Sequence, residues 1–503
     1  MKRTNLAYCL LAALAITLAN SPLCAQNEQP IVTQPRQVWL TFFVHGIMSI
    51  QPHLTISNFL RFMRDDVENT TYAKTVEIMR QDPHFYQNQA MQGFGLHRVD
   101  KEKTGQGEAT SALAKILDEV TLLSHGPSIE NHYYTYGWSG LLSPTNRYKD
   151  AFGLYNSIQQ EIQQFKKQGI TPKIRVIGYS HGGNVVLNLG AVRQKMPVDK
   201  NLVIDEAVLL GVPIQKETDY LVNDDVFKRV YNIYSNSDRI QKLDFFSYTR
   251  LFSRRIFEER TGFKLPKKLV QIQLKLTRSS AAARSNPKKF KLTLNMDNPA
   301  IVSGKSHLLR NSSPGHAELW AFGWSPTHYR QSFALNPLPT VAILPFILKS
   351  VQDIEDQLSP KYPVIVDMRP EHGITLIKNV KKNKFYTVVK FIPRHDFKRM
   401  QAMALEYAPE GFTVEAYKER IRQSYIKAHE FYQDEWSLQA RLKRRNCTKK
   451  QRKQLRKAAR LAAKESKRHE DLEENSIEGS DLKNLTIASH FSPDPFVTFL
   501  ATK

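Results

Sequence analysis

Hydrophobic positions along the chain change their period several times, and those changes mark out the elements. Gln37 to Val44 is a nearly continuous apolar run that ends in His45-Gly46. His132 to Tyr136 is a second run, closing on Gly137-Trp138, and Lys173 to Ile177 is a third. Ala207 to Val212, stopped by Pro213, is a fourth, and Val230 to Tyr234 is a fifth. Asn184 to Gln194 and Asp219 to Lys228 read as helices between the last three. Short apolar strands separated by helices predict an α/β fold with a mostly parallel central sheet covered on both faces. Ligands of such a sheet bind beyond the carboxyl ends of its strands.

Two stretches are too long to be simple connections. Residues 48–131 carry helix-like pieces at Ser57 to Met63 and Thr110 to Leu123, and a Gly-rich polar piece at Thr104 to Gly107. Residues 244–290 are strongly basic and contain a strand at Val270 to Leu276. Long insertions at strand ends serve as lids or substrate walls, or only cover the sheet, and the sequence leaves both open. From residue 350 the pattern shifts. Pro363 to Met368, Gly373 to Val380 and Phe385 to Ile392 read as strands, with Lys381 to Lys384 as a hairpin turn. Tyr417, Ile421, Tyr425, Ala428, Tyr432 and Trp436 recur at helical steps, which predicts a helix over Thr413 to Leu442. The expected organisation is therefore a main domain over 26–349, a small α+β appendage over 350–440, and a basic helical segment with an irregular tail over 441–503.

Composition narrows the class. Hydrophobic residues at 41% and charged residues at 24% exclude a wholly disordered chain. No apolar run beyond the N-terminus reaches the roughly 18 residues of a membrane span, which excludes a multi-span membrane protein. Residues 1–25 read as a signal peptide. Lys2 and Arg3 precede the apolar stretch Leu6 to Ala19, Asn20-Ser21-Pro22 breaks it, and Ala25 offers a cleavage point. An uncleaved anchor helix and a lipoprotein through Cys24 are the weaker readings, and the expectation is export to the periplasm or beyond. Cys447 is the single cysteine outside residues 1–25, so no internal disulfide is expected there, and no Cys/His group has zinc-like spacing.

The net charge of +24 favours anionic partners. Most of it sits in 441–469, a dense run of Lys and Arg with Glu465 as its one acid and a weak stripe of Leu455, Ala458, Ala459 and Ala462. For an exported chain an anionic membrane surface is a better partner for this run than nucleic acid, and a solvated basic helix needs no partner at all.

The strongest chemical signal is Gly178-Tyr179-Ser180-His181-Gly182, placed between an apolar strand and a helix. A G-x-S-x-G sequence in that context builds a tight turn in which a side chain at either glycine would clash. The turn lifts the Ser180 hydroxyl above the sheet, the helix start points its positive end there, and the backbone N–H of His181 is an oxyanion donor. Upstream, Val44-His45-Gly46-Ile47 ends the first strand, and the N–H of Ile47 supplies the second donor, with His45 holding the loop rather than acting as a base.

Together these two motifs resemble the α/β-hydrolase superfamily, on its lipase and esterase side, over roughly residues 37–330. The resemblance implies an acid and then a histidine downstream of the serine. Asp238, just past the strand at Val230, fits the acid; Asp205, Glu206, Asp224 and Asp225 are its rivals. His316, in Ser313-Pro-Gly-His316, resembles the Gly-His loop that carries the base, with His307 and His328 as alternatives. His181 is expected to pack beside the elbow, and Trp138 and Trp324 to be core aromatics or to line an acyl pocket. The implied activity is hydrolysis of acyl esters, lipids among them, by a Ser180–His316–Asp238 triad without metal or organic cofactor. The contrasting reading is a catalytically inactive scaffold that binds a surface or a partner.

Overall fold

The computed structural model describes residues 37–48, 65, 67, 68, 70–197, 202–238, 240–242, 253–279, 309–324, 332–379 and 385–445. The expected signal (1–25), the helix at Ser57 to Met63, the turn at Lys381 to Lys384 and the basic run beyond Arg445 lie outside them, as do His307 and His328. Among the described residues no helix is long and apolar enough to cross a membrane.

The strands are β1 (Gln37–Val44), β2 (Gly95–Arg98), β3 (Ile129–Gly137), β4 (Lys173–Tyr179), β5 (Glu206–Leu210), β6 (Val230–Ser235), β7 (Leu269–Ser279), β8 (Leu309–Asn311), β9 (Val364–Arg369), β10 (Ile374–Asn379) and β11 (Phe385–Lys390). They form one sheet in the order β11-β10-β9-β7-β6-β5-β4-β1-β3-β2, with β8 paired to β7. The run from β9 to β3 is parallel throughout. β2, β8, β10 and β11 join antiparallel.

The helices are α1 (Thr71–Gln81), α2 (Ala109–His125), α3 (Pro144–Lys167), α4 (His181–Arg193), α5 (His316–Trp320), α6 (Leu344–Gln352), α7 (Arg394–Glu406) and α8 (Val414–Arg445). Side chains on a strand alternate between faces, and the sequence uses both. Leu40, Phe42 and Val44 of β1 join one buried cluster with residues of α1, α3 and α4. Phe43 joins the other with residues of α2, α6 and α7. This is the mixed α/β arrangement, helices on both sides, that the alternation of runs predicts.

Residues 350–440 do not form a separate appendage. β9 pairs with β7 in register from Ile272↔Val364 to Leu276↔Met368, so these strands extend the main sheet. The start of α8 packs on the 3-10 turn Pro83–Tyr86 that follows α1: His84 stacks on Phe412 with centroids 5.1 Å apart, and Phe85 meets Tyr417 edge-on at 5.2 Å. The described residues from Gln37 to Arg445 accordingly cluster as one compact unit. Two further expectations change. The helix expected at Asp219 to Lys228 is only a 3-10 turn, Asp219–Asn223. The Asp224 carboxylate accepts the Val226 N–H (2.9 Å) and the Arg193 Nε (2.6 Å), which draws the chain into an extended form after one turn. β5 ends at Leu210 rather than Val212, because Gly211 turns the chain at φ +63°.

The order of connections positions the site. From β1 the chain passes to β3 on one side, then returns to β4 on the other. The carboxyl ends of β1 and β4 therefore flank a topological switch point, where the connecting loops part and leave a crevice.

Candidate active site

Ser180 stands between β4 and α4 with φ 51° and ψ −132°. Asp65 is the other non-glycine residue with positive φ among those described. Holding a serine there costs on the order of 1–3 kcal/mol, so the surroundings must enforce it. Three glycines let them. A Cβ on Gly178 would lie 2.6 Å from Gly183 Cα, and one on Gly182 would lie 2.2 Å from the His45 carbonyl oxygen. A Cβ on Gly183, a position the motif does not flag, would lie 2.0 Å from Val212 Cγ2. The turn is then fixed by Ser180 N–H donating to Leu210 O and Gly183 N–H to Ser180 O, each 3.0 Å.

The three residues expected to act together are brought together. His316 Nε2 lies 2.9 Å from Ser180 Oγ, and His316 Nδ1 lies 2.8 Å from Asp238 Oδ2. Because the carboxylate only accepts, Nδ1 carries the proton and Nε2 faces the serine hydroxyl as acceptor. All three are buried, and the low local dielectric strengthens both bonds.

Each partner is held from behind. Asp238 Oδ1 accepts the Gln241 N–H (3.3 Å), and its backbone carbonyl accepts from Arg255 Nε (3.1 Å), a residue of the basic insertion. His316 opens α5; Gly315 N–H donates to Glu318 Oε2 at 2.6 Å, and the Tyr179 hydroxyl donates to the His316 carbonyl at 3.1 Å. The Tyr179 ring also stacks on Trp320, 5.1 Å between centroids. Gly211 closes the back of the pair. A Cβ there would meet Leu319 Cδ1 at 2.7 Å, Asp238 Oδ2 at 3.3 Å and His316 Nδ1 at 3.5 Å.

The rival acids are engaged elsewhere. Asp205 pairs with Lys228, Glu206 with Arg175, and Asp224 and Asp225 with Arg193.

The loop after β1 reaches the serine. A Cβ on Gly46 would lie 3.1 Å from Ser180 Cβ, so Ile47 follows a residue in contact with the nucleophile. His181 is the first residue of α4, where backbone N–H groups have no acceptor within the helix. Ile47 and His181, the residues expected to supply the oxyanion donors, thus each neighbour a residue of the serine turn in the chain or in space.

The two histidine side chains beside Ser180 are tied to arginines, a feature the motifs do not reveal. Arg80 of α1 approaches His45 Nε2 at 2.6 Å, and Arg147 of α3 approaches His181 Nδ1 at 2.6 Å. Guanidinium nitrogens can only donate, so both rings accept at those atoms and are neutral. Burial drives both histidine pKa values well below the usual range, and the adjacent arginine charge adds to it. Arg147 also donates to Gln215 Oε1 at 3.1 Å. Trp138 is a core aromatic. Its indole N–H donates to the His45 carbonyl at 2.7 Å, and its ring stacks on the imidazole. Trp324 donates to Ala404 O at 2.9 Å and stacks on Phe322, which ties the loop after α5 to α7.

The arrangement sets an imidazole against the Ser180 hydroxyl and a carboxyl group behind that imidazole. No family model matches the chain, and no curated protein matches it either.

Proposed function

We propose that the chain is a serine hydrolase with an α/β-hydrolase architecture, cleaving carboxylic esters, lipid esters among them, through an acyl-enzyme. The observation that carries this reading is the continuous chain Asp238–His316–Ser180, with links of 2.8 and 2.9 Å, ending on a serine held at φ 51°. Ion-pair clusters built only for stability have no reason to terminate on a strained hydroxyl. The strand order around β1 and β4 and the converging glycines support the same reading.

In the reaction Ser180 Oγ attacks the ester carbonyl while His316 Nε2 takes its proton. Asp238 keeps His316 in the required tautomer and stabilises the imidazolium; it does not itself take the proton. The carbonyl oxygen gains negative charge and is met by the N–H groups of Ile47 and His181. His316 then returns the proton to the departing alcohol, leaving acyl-Ser180. A water repeats the sequence, losing its proton to His316 and releasing the acid. The arginine-held neutral rings of His45 and His181 cannot compete for that proton. The N-terminal pattern of Lys2, Arg3 and the apolar stretch after them adds export to the proposal.

The test is labelling of the purified protein with a fluorophosphonate, beside Ser180→Ala. Labelling of the wild type alone supports the proposal, and a panel of esters of rising chain length then defines the acyl group. A folded wild type that stays unlabelled, with and without detergent, refutes it and leaves a binding scaffold.

A further inference from the structure

Arg80 is an unusual residue to find behind an oxyanion loop. It is buried, and its Nε and NH1 have no hydrogen-bond partner among the described residues. No carboxylate among the described residues forms an ion pair with it; Asp150, the acid nearest in effect, accepts instead from Ser139 N–H (3.2 Å) and Ser139 Oγ (2.6 Å). The exposed Phe94 ring covers the guanidinium at 4.3 Å. Burial lowers its pKa to about 10, so it keeps its charge at neutral pH. A buried, under-satisfied cation is costly to maintain, and methionine or leucine would fill the space without that cost. What Arg80 does make is a bond through NH2 to His45 Nε2 and another to the Trp138 carbonyl.

The consequence runs along covalent geometry. Because NH2 can only donate, His45 Nε2 must be the bare nitrogen, and the ring proton must sit on Nδ1. His45 Nδ1 lies 2.5 Å from the Gly46 carbonyl oxygen, so that proton is donated to it. The Gly46 carbonyl and the Ile47 N–H belong to one trans peptide plane and point in opposite directions. Fixing the carbonyl on the imidazole fixes the N–H on the other side. In the opposite tautomer a lone pair on Nδ1 would face the carbonyl oxygen and drive that peptide to rotate. The Trp138 N–H, at 3.4 Å from Nε2, is a much longer and weaker donor to that nitrogen than Arg80 at 2.6 Å, and the Trp138 indole binds the His45 carbonyl rather than the ring.

We infer that Arg80 is a positioning residue: by donating to His45 Nε2 it selects the Nδ1–H tautomer, which orients the Gly46–Ile47 peptide and aims the Ile47 N–H at the developing oxyanion. This rests on the serine-hydrolase reading for its kinetic consequence, but the tautomer itself does not. An oxyanion donor acts only on charge that develops in the transition state, so its loss lowers kcat and leaves KM in place.

The experiment combines kinetics with nitrogen NMR of the histidine rings in the full chain, His45 being assigned by its absence in His45→Gln. Wild type should show a protonated Nδ1 and a bare Nε2 at His45. Arg80→Met should shift His45 towards the other tautomer and lower kcat by roughly 10²–10³-fold, the loss typical of one oxyanion donor. Arg80→Lys, which keeps a charged donor for Nε2, should retain the wild-type tautomer and recover most of that loss. Arg193→Met, which breaks an ion pair with Asp224 at the far end of α4, controls for destabilisation and should leave kcat of the folded protein unchanged. The inference is overturned if wild-type His45 carries its proton on Nε2, or if a folded Arg80→Met keeps the wild-type kcat. Should Arg80→Met not fold, the wild-type tautomer and the Arg80→Lys comparison decide. A wild type that neither hydrolyses esters nor labels refutes the hydrolase reading instead, and the His45 signals still report separately on Arg80.

Discussion

The contact between the elbow and the loop after β1 can be tested with one methyl group. In Gly182→Ala the new Cβ would stand 2.2 Å from the His45 carbonyl oxygen and 2.5 Å from that of Val44. Unstrained carbon–oxygen contacts lie at about 3.3 Å or more, so the two segments must separate by about 1 Å. Neither side yields easily. The struck atoms are main chain at the end of β1, the Trp138 indole holds the His45 carbonyl at 2.7 Å, and Gly182 lies in the first turn of α4. Overpacking of this kind costs about 1–3 kcal/mol of stability, which a domain with about 5–15 kcal/mol survives. Activity is more sensitive. A 1 Å misplacement at a reacting centre costs about 10²-fold, and loss of one oxyanion donor about 10²–10³-fold. The expected outcome is a folded protein with kcat lowered about 10²–10³-fold and KM nearly unchanged. Gly169→Ala is the control. Its φ is +77° and nothing lies within 4 Å of its Cβ, so it should cost about 1–2 kcal/mol and no activity. The assay is kcat and KM on a chromogenic ester, with urea unfolding of each variant. A folded Gly182→Ala with the kcat of the wild type would show that the β1 loop is no part of the oxyanion site.

Two further outcomes follow from the same geometry. Asp238→Asn should stay folded, because Arg255 holds the backbone carbonyl of residue 238 rather than its carboxylate, yet lose about 10⁴-fold in kcat as the tautomer of His316 is no longer enforced; a folded variant with near-native kcat would remove Asp238 from the mechanism. The neutral, buried His45 and His181 predict acid sensitivity of the fold. Their pKa values are lowered in the folded state, so below about pH 6.5 the unfolded chain binds more protons, and stability that is complete above that pH is lost as pH falls. Each contributes a slope of about 1.4 kcal/mol per pH unit. His84, His125, His132 and His372 are lowered too and add in the same sense, so the comparison is made with His181→Gln. Urea midpoints between pH 7.5 and 5.5 should fall less steeply in that variant, and equal slopes would contradict the assignment.

The elements that were legible in the sequence are those whose local pattern and tertiary role agree. β1, β4 and β6 are buried on both faces, and their near-continuous apolar runs say so. The elbow was readable because Gly178 and Gly182 are demanded by contacts within a few residues or across one strand pair. Asp238 and His316 were readable by their order in the chain and the turns that carry them. α3 is poorly legible in the sequence although its caps are regular: Ser143 accepts the Asn146 N–H at 3.0 Å, and Pro144 opens the helix. Its buried positions Ala151, Leu154, Tyr155 and Ile158 have helical spacing, but a polar face of Gln, Glu and Lys dilutes the pattern. The place of residues 350–440 is not legible for another reason. Nothing local in Val364–Arg369 distinguishes a strand of a separate sheet from one that joins β7, whose paired residues such as Ile272 lie far upstream.

The arginines mark the limit of such reading more sharply. Arg80 and Arg147 stand 35 and 34 residues from the histidines they hold, each on a helix otherwise rich in polar residues. Among 72 Lys and Arg residues in a chain of net charge +24, neither is distinguishable as a sequence letter. Charge is read from sequence as a sum, and here the sum is dominated by 441–469. Burial sets them apart from most of the rest, together with Arg369, and burying a guanidinium is costly wherever its donors do not replace lost water. Such a residue acquires meaning from its acceptor, and the acceptors are the imidazoles that follow β1 and open α4. The residues of the proposed triad are therefore written in motifs, whereas the hold on the neighbouring histidines is written in pairings that exist only after the sheet has brought α1 and α3 beside Ser180.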